Sequence, residues 1–200
     1  MDDVTRVINP EDELFKLPPL ATPDALAGWS KGRLPVDDPR VALLLAGASA
    51  GVRRWCGWHI APVLEQTLVV DDARGAMRVL LDTMRLRDVL EVDNAGQMIG
   101  PDRLDWSASG ALELRHGGRF TDRLGRLRVR VQHGFHPHEA GDAAQVVLQA
   151  AALALSSPMG ATREQAGQVA VSWATTAPGV SGGLTLLERD QDLLAPFRIT

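Results

Sequence analysis

One long helix, bounded at residues 38 and 57, constrains the fold more than any other stretch of the sequence. Asp38 is a good N-cap residue, Pro39 suits the first helical position, and Gly57 suits the left-handed conformation that ends a helix. Apolar residues recur at helical spacing between these bounds: Val41, Leu44, Leu45, Ala48, Val52, Trp55 and Cys56. The spacing therefore predicts a helix that buries one stripe in a core.

A second face of this helix carries only small residues, Ala46, Gly47, Ala50 and Gly51. Small residues let another backbone approach closely, and two glycines weaken a helix unless something packs against them. We therefore expect this face to be covered, either from within the chain or by a neighbouring copy.

Composition excludes several classes of protein. The net charge of −4 on 200 residues argues against a general nucleic-acid binder, and a single cysteine excludes a disulfide framework or a zinc site built from cysteines alone. The acidic N-terminal stretch lacks the basic and apolar regions of a signal peptide. The apolar run around residues 143–155 is too short to span a bilayer, so we expect no membrane partner.

After Gly57 the hydrophobic pattern changes from helical to alternating, which predicts a β-rich block as far as His133. Residues 68–70 and 77–81 read as two strands of a hairpin joined by a turn at 71–75, and a second turn lies at 94–96. Near the end of the block, Leu127, Val129 and Val131 alternate with Arg126, Arg128 and Arg130. That alternation predicts a half-buried strand with one basic face.

Helical spacing returns at residues 139–156, in a segment so apolar that we expect most of it to be buried. Two capping-box patterns, at 162–165 and 185–188, predict short helices, and residues 169–173 predict a strand. The fold class is therefore α+β, a helical bundle from the N- and C-terminal segments with a β-rich insertion between them. The expected parts are an extended arm (1–21), a helical part (22–57), the β-rich insertion (58–134), a second helical part (135–177), and a C-terminal loop, helix and tail (178–200).

One histidine cluster invites a catalytic interpretation. His133, His136 and His138, with Glu139 and Asp142 nearby, could supply zinc ligands for a metal-dependent hydrolase. However, the spacing is not that of a helical metal-binding pair, and Pro137 breaks any helix there. We favour a polar strand-to-helix loop, in which the two carboxylates complement a helix N-terminus. We therefore expect no metal, and the hydrolase remains the enzyme alternative.

Other reactive groups have structural interpretations that we favour. Cys56 and His59 could form a nucleophile and its base, but Cys56 lies on the apolar stripe, as a buried thiol does. The arginines of residues 115–130 could track phosphates, but an exposed or ion-paired strand face is favoured by the overall charge. The sequence has no phosphate-binding loop, nucleophile elbow or zinc-protease motif, so we expect neither an enzyme nor a cofactor.

Several stretches, taken in order, resemble the head–tail connector, or adaptor, proteins of long-tailed bacteriophages, in the version found in phages of actinobacteria. The similarity spans about Thr22 to Thr200. It rests on the opening helix Thr22–Leu26, on Ala48-Ser49-Ala50 followed by Arg53–Ile60, on Trp106 with Gly110, on Val131–Gly134 before a long helix, and on a leucine-rich C-terminal helix with an aromatic-Arg tail.

This resemblance implies a structural virion protein without catalytic residues. Such adaptors form a ring, typically of twelve copies, under the portal, where they extend the DNA channel and carry a downstream stopper or tail-terminator protein. Genomic DNA passes through without sequence-specific binding. The implied location is the head–tail neck of the virion, with assembly in the host cytoplasm.

In the family the C-terminal segment commonly reaches the portal. The resemblance therefore implies a portal-docking set: Leu186, Leu187, Leu193, Leu194, Phe197, Arg198 and Ile199. We expect this segment to become ordered only on the portal, since a short isolated helix is marginal in water.

Ring contacts between copies have two sets of candidate residues. Gly47 and Gly51 could pack closely against a neighbouring helix. Arg126, Arg128 and Arg130 could face an acidic surface on the next copy or on another virion protein, because a cyclic ring joins two different faces. A stopper or tail-completion protein, which also forms a ring near the portal, remains an alternative to the adaptor.

Overall fold

The computed structural model describes residues 7–8, 17–156, 163–166, 169–172, 175–177, 180–181 and 186–199. These residues form helices and largely antiparallel sheets, which confirms the α+β class. They fall into two compact units. The β unit lies within residues 1–17, 57–139 and 197–200, and the helical unit lies within residues 18–56 and 140–196.

The larger sheet of the β unit has five strands. They are β1 (Val7–Ile8), β2 (Leu64–Val70), β4 (Leu86–Asn94), β5 (Gln97–Ile99) and β8 (Leu127–His133), in the spatial order β1-β2-β8-β4-β5. β8 lies at the centre, antiparallel to β2 and to β4, while the short β1 is parallel to β2. The predicted turn between β4 and β5 is confirmed, since Ala95 and Gly96 have φ of 57° and 96°, as a two-residue hairpin turn requires.

A smaller sheet contains β3 (Arg78–Leu80), β6 (Leu104–Trp106) and β7 (Ala111–Leu114), in the order β3-β7-β6. The predicted hairpin between residues 68–70 and 77–81 is therefore wrong, because β2 pairs with β8 and β3 pairs with β7. The connection is not a tight turn. Within this connection Ala73 is buried, and the carbonyl of Ala76 accepts a hydrogen bond from the N–H of Phe120. The connection leads from β2 in the larger sheet to β3 in the smaller one.

Both sheets contribute to one apolar core. Buried residues include Val89, Val92 and Val129 from the larger sheet and Leu104, Leu112 and Leu114 from the smaller one. The alternation predicted for β8 is confirmed, since Leu127, Val129 and Val131 are fully buried while Arg126 and Arg128 are exposed. The two sheets of the β unit thus share one core, and β8 is the central strand of the larger sheet.

The helical unit contains α1 (Pro23–Ser30), α2 (Arg40–Cys56), α3 (Gly141–Ser156) and α4 (Glu188–Leu194). The long predicted helix is confirmed as α2: Asp38 accepts a hydrogen bond from the N–H of Arg40, and Gly57 ends the helix with φ of 85°. α2 and α3 pack against each other through their apolar stripes, and α1 and α4 contact α3. None of the helices in the described ranges has the length and apolar character needed to cross a membrane.

The region predicted as the second helical part also contains strands. Residues Arg163–Ala166 form β9, antiparallel to β10 at Val169–Ser172, and β11 (Thr175–Ala177) pairs with β12 (Val180–Ser181). The short helix predicted at 162–165 is therefore wrong, since a local capping pattern is weaker than the backbone pairing of two strands. The strand predicted at 169–173 is confirmed as β10.

The second predicted capping box is only partly correct. A helix follows it, but the helix begins at Glu188, and its N-cap residue is Leu187. The N–H of Leu187 donates to the carboxylate of Asp190 at 3.0 Å, so Asp190 supplies the reciprocal bond that the sequence pattern assigned to Glu188. Thr185, the expected cap, lies outside the described residues.

Candidate functional site

Five rings meet in the β unit in a cluster that we call the aromatic junction: Trp58, His59, His133, Phe135 and Phe197. The rings of His59 and His133 lie 4.4 Å apart, and Trp58 contacts both histidines. Phe135 packs on Trp58 and meets Phe197 edge to face at 5.2 Å. Two of the sequence blocks behind the family resemblance, residues 53–60 and 131–134, both contribute to this junction.

His133 is a neutral structural side chain. It is 1% exposed, and its Nε2 lies 3.1 Å from Oε1 of Gln66. Burial, with a smaller contribution from the neighbouring His59, lowers the pKa of His133 to about 3. Its Nδ1 is buried and has no hydrogen-bond partner among the described residues. An imidazole that stays neutral at every physiological pH is a poor proton shuttle, so this arrangement favours packing over catalysis.

Gly134 brings two backbone segments into close contact at the junction. Its φ is 112°, and a Cβ there would lie 2.5 Å from the carbonyl oxygen of Pro62 and 2.6 Å from Nε2 of His59. That same Nε2 lies 2.9 Å from the Pro62 carbonyl oxygen, within hydrogen-bond distance. Only glycine fits this position, because any side chain would separate the segment after α2 from the end of β8.

The C-terminal tail is held against the junction. The Nε1–H of Trp58 donates to the carbonyl oxygen of Phe197 at 2.6 Å, and the Phe197 side chain is 5% exposed. Cβ of Ile199 lies within van der Waals distance of Gly57. The expectation that this segment becomes ordered only on the portal stays a prediction. Trp58 and Phe135 supply the contacts that an isolated helix lacks.

The predicted portal-docking residues differ in their access to a partner. Leu194 is fully buried and Phe197 nearly so. Leu186, Leu187, Leu193 and Ile199 are half-buried, and Arg198 is exposed. The role of these residues in portal docking stays a prediction. In this conformation only the four half-buried residues and Arg198 reach the surface, so only these five could contact a portal.

The metal centre of the hydrolase alternative is not assembled. His133 lies in the aromatic junction, whereas His136 and His138 stack on each other at 5.4 Å. Within the described ranges, no group of three His, Cys, Asp or Glu side chains could hold a metal ion. Cys56 is fully buried, and Nε2 of His59 is engaged with Pro62.

Glu139, which we assigned to a helix N-terminus, organises the loop after β8. It pairs with Arg85 at 3.0 Å and with Arg87 at 2.5 Å, and it accepts a hydrogen bond from the N–H of His136. That backbone bond, followed by the two guanidinium groups, holds the pKa of Glu139 below its usual range despite partial burial. Sequence spacing gave no signal for this network, because its arginines lie more than fifty residues away.

The basic face of β8 lies between carboxylates on the two neighbouring strands, β2 and β4. Arg130 pairs with Glu65 on β2 at 2.7 Å and with Glu91 on β4 at 3.0 Å. These two carboxylates raise the pKa of Arg130. Arg128, by contrast, is exposed beside Asp93 in the strand register, and Arg126 is exposed at the start of the strand. The subunit-contact role predicted for the arginines remains a prediction, and Arg126 and Arg128 carry the charge available to a partner.

The small-residue face of α2 is open. Leu43 is 73% exposed, Ala46 and Ala50 are exposed, and Gly47 and Gly51 are half-buried. A Cβ on Gly51 would meet no atom within 4 Å. The opposite stripe is buried, so α2 has one face in the core and one face that no described residue covers.

Ser49, in the Ala-Ser-Ala block, has a role that the sequence did not suggest. Its hydroxyl donates to the carbonyl of Leu45 and accepts a hydrogen bond from the N–H of Leu20 at 2.9 Å. Arg53 donates to the carbonyl of Pro18, and burial lowers its pKa to about 10. Together they fix the segment that precedes α1 onto α2.

Comparison with known proteins finds similarity only among solved structures. No protein-family model and no curated protein matches the chain. A chain from a solved structure described as "Neck of empty GTA particle computed with C6 symmetry" aligns with a TM-score of 0.49 and 17% sequence identity. The alignment covers 92% of this chain and 90% of that one. These comparisons assign the chain to no family.

Proposed function

We propose that the chain is a structural neck protein of a phage-like particle and, within that class, the head–tail adaptor. It forms a ring of twelve copies under the portal, extends the DNA channel and carries a downstream stopper or tail-terminator protein. The proposal starts from the sequence resemblance. Its support in the structure is that the residues behind the resemblance serve the fold: Trp58, His133 and Gly134 build the aromatic junction, and Ser49 anchors the segment before α1.

The observation that carries the proposal is the open face of α2. The sequence predicts that this face is covered, from within the chain or by a neighbouring copy. The described part of the chain leaves it exposed, with Leu43 at 73% exposure beside Ala46 and Ala50. An apolar, small-residue helix face of this kind suits close packing against a second copy.

The charge of the chain suits a DNA channel. A net charge of −4 per copy is multiplied around a ring, and like charge with the phosphate backbone disfavours adhesion of the passing genome. The ion pairs of Arg130 within its own sheet reduce the positive charge that could retain DNA.

Deletion of the protein from the particle tests the function. An adaptor is needed to join heads to tails, so its loss should give DNA-packaged heads that carry a portal but no tail, together with free tails. Wild-type protein supplied in trans should restore joined particles. Tailed particles that form at the normal yield without the protein would overturn the proposal.

A further inference from the structure

A groove in the helical unit is not used by the ring contacts described above. It has a volume of about 660 Å³ and lies among α1, α3 and the start of α4. Its apolar surface comes mainly from Trp29, Leu34, Leu153 and Leu187. Trp29 is 47% exposed although tryptophan is normally covered, so the groove offers a large aromatic surface to a partner.

The polar groups of this groove define the chemistry of its occupant. Three cations, Lys31, Arg33 and Arg189, line it against a single carboxylate, Asp190. Lys31 and Arg33 form no ion pair with any residue in the described ranges, whereas Arg189, with a side chain that is 70% exposed, pairs with Asp190 at 3.4 Å. The groove therefore favours a segment with several carboxylates and an apolar anchor.

Asp190 adds a requirement for a hydrogen-bond donor. It is 7% exposed, and its Oδ2 caps α4 through the N–H of Leu187. Its Oδ1 is buried and forms an ion pair with Nε of Arg189 at 3.4 Å, but it accepts no hydrogen bond from the described residues. A buried acceptor without a donor is costly, and a peptide backbone N–H laid in the groove would satisfy it.

We infer that this groove binds the acidic stretch Glu11–Phe15 in the N-terminal arm of a second copy. The stretch, EDELF, follows β1 in the sequence and carries three consecutive carboxylates and then Leu14 and Phe15. The three carboxylates meet Lys31, Arg33 and Arg189, of which Arg189 also pairs with Asp190. The apolar pair meets Trp29 and its neighbours, and the backbone supplies the donor for Asp190. The inference rests on the proposed function, because a ring places copies side by side.

The test uses the full chain and a synthetic peptide of residues 9–17, NPEDELFKL. A control peptide replaces Glu11, Asp12 and Glu13 with Gln, Asn and Gln. The groove variant combines Arg33→Glu with Arg189→Glu. A matched variant, Arg54→Glu with Arg103→Glu, makes the same charge change at exposed positions outside the groove. Affinity is measured by calorimetry, and the site by the shift of the Trp29 indole resonance.

We expect the wild-type peptide to shift the Trp29 resonance. Its affinity should be at least tenfold lower for the groove variant and within twofold of wild type for the matched variant. The uncharged peptide should also bind at least tenfold more weakly. Equal binding of both peptides, equal binding to both variants, or no binding would overturn the inference. So would a Trp29 resonance already at its bound position at every protein concentration, since the chain's own arm would then occupy the groove.

Ring formation on the portal is measured with the same preparations, which separates the two proposals. A wild-type ring combined with failed peptide binding overturns the groove inference alone. Groove-specific peptide binding in a chain that never forms a ring supports the groove and overturns the adaptor.

Discussion

The indole N–H of Trp58 donates to the carbonyl oxygen of Phe197 at 2.6 Å, across 139 positions of the sequence. Trp58 follows α2 directly, whereas Phe197 lies three residues before the end of the chain. The bond is buried, and the Phe197 ring packs on Phe135. The C-terminal tail is therefore part of the aromatic junction, and a partner that bound Phe197 would first have to open that junction.

Substitution Trp58→Phe removes this donor and leaves a buried carbonyl without its partner. We expect a loss of about 1–3 kcal/mol in the free energy of unfolding, with faster hydrogen exchange at Arg198 and Ile199. Chemical denaturation and exchange measured by mass spectrometry report the two effects. Trp106→Phe, at a position that is 40% exposed, is the control and should change both little. Unchanged exchange in the tail of the Trp58 variant would show that the bond does not hold the tail.

The pKa of His133 predicts a pH dependence of stability. Burial keeps the folded-state pKa at about 3, below the ordinary value of 6.5, so the unfolded chain binds a proton first as the pH falls. The contribution of His133 is complete above pH 6.5 and declines at up to about 1.4 kcal/mol per pH unit toward pH 3. In unfolding experiments from pH 7 to pH 4, His133→Gln should flatten the curve relative to wild type. Parallel curves for wild type and His133→Gln would refute the role of His133 in this pH dependence.

Substitution Gly134→Ala tests the close approach at the junction. The new Cβ would lie 2.5 Å from the carbonyl oxygen of Pro62, on a backbone with φ of 112°. We expect a loss of more than about 3 kcal/mol, because backbone strain and a steric clash act together. Gly96→Ala provides the matched comparison, since Gly96 has φ of 96° and no atom within 4 Å. It should show the strain alone, about 1 kcal/mol. Equal losses in the two variants would mean that the segments at Gly134 can move apart.

Two substitutions at Gly51 separate the fold from assembly. Gly51→Ala should stabilise the single chain by about 0.5–1 kcal/mol, since the helix gains a better helix former and the new Cβ meets no atom within 4 Å. Gly51→Trp should leave the helical circular dichroism unchanged but prevent the ring from forming on the portal. Gly28→Trp, at an equally open position of α1, is the control for bulk. A normal ring with Gly51→Trp would remove α2 from the subunit interface.

Local patterns in the sequence predicted the elements well and their partners poorly. The bounds of α2 followed from Asp38 and Gly57, and the burial of β8 followed from the alternation of Leu127, Val129 and Val131. The pairing of β2 with β8 joins residues about sixty positions apart, and nothing in the alternation of either strand names its partner. The hairpin predicted between β2 and β3 was wrong for that reason.

The site was less predictable than the fold, because it depends on register and close approach. The histidines at 133, 136 and 138 left a metal site open as an alternative. The register that places His133 opposite Leu64 puts its side chain in the aromatic junction instead. Local sequence patterns did not indicate that position 134 requires glycine. The requirement comes from close contact with the carbonyl oxygen of Pro62, which is distant in the sequence. The small-residue face of α2 was identified from the sequence, but only the structure shows that no described residue covers it.

The mass of the complex that the purified chain forms with the cognate portal tests the adaptor most directly. We predict a single species in which twelve copies of the chain sit on one portal ring, visible as an added ring in class averages. The Gly51→Trp variant should leave the portal bare. A chain that stays monomeric and shows no affinity for the assembled portal would contradict the account.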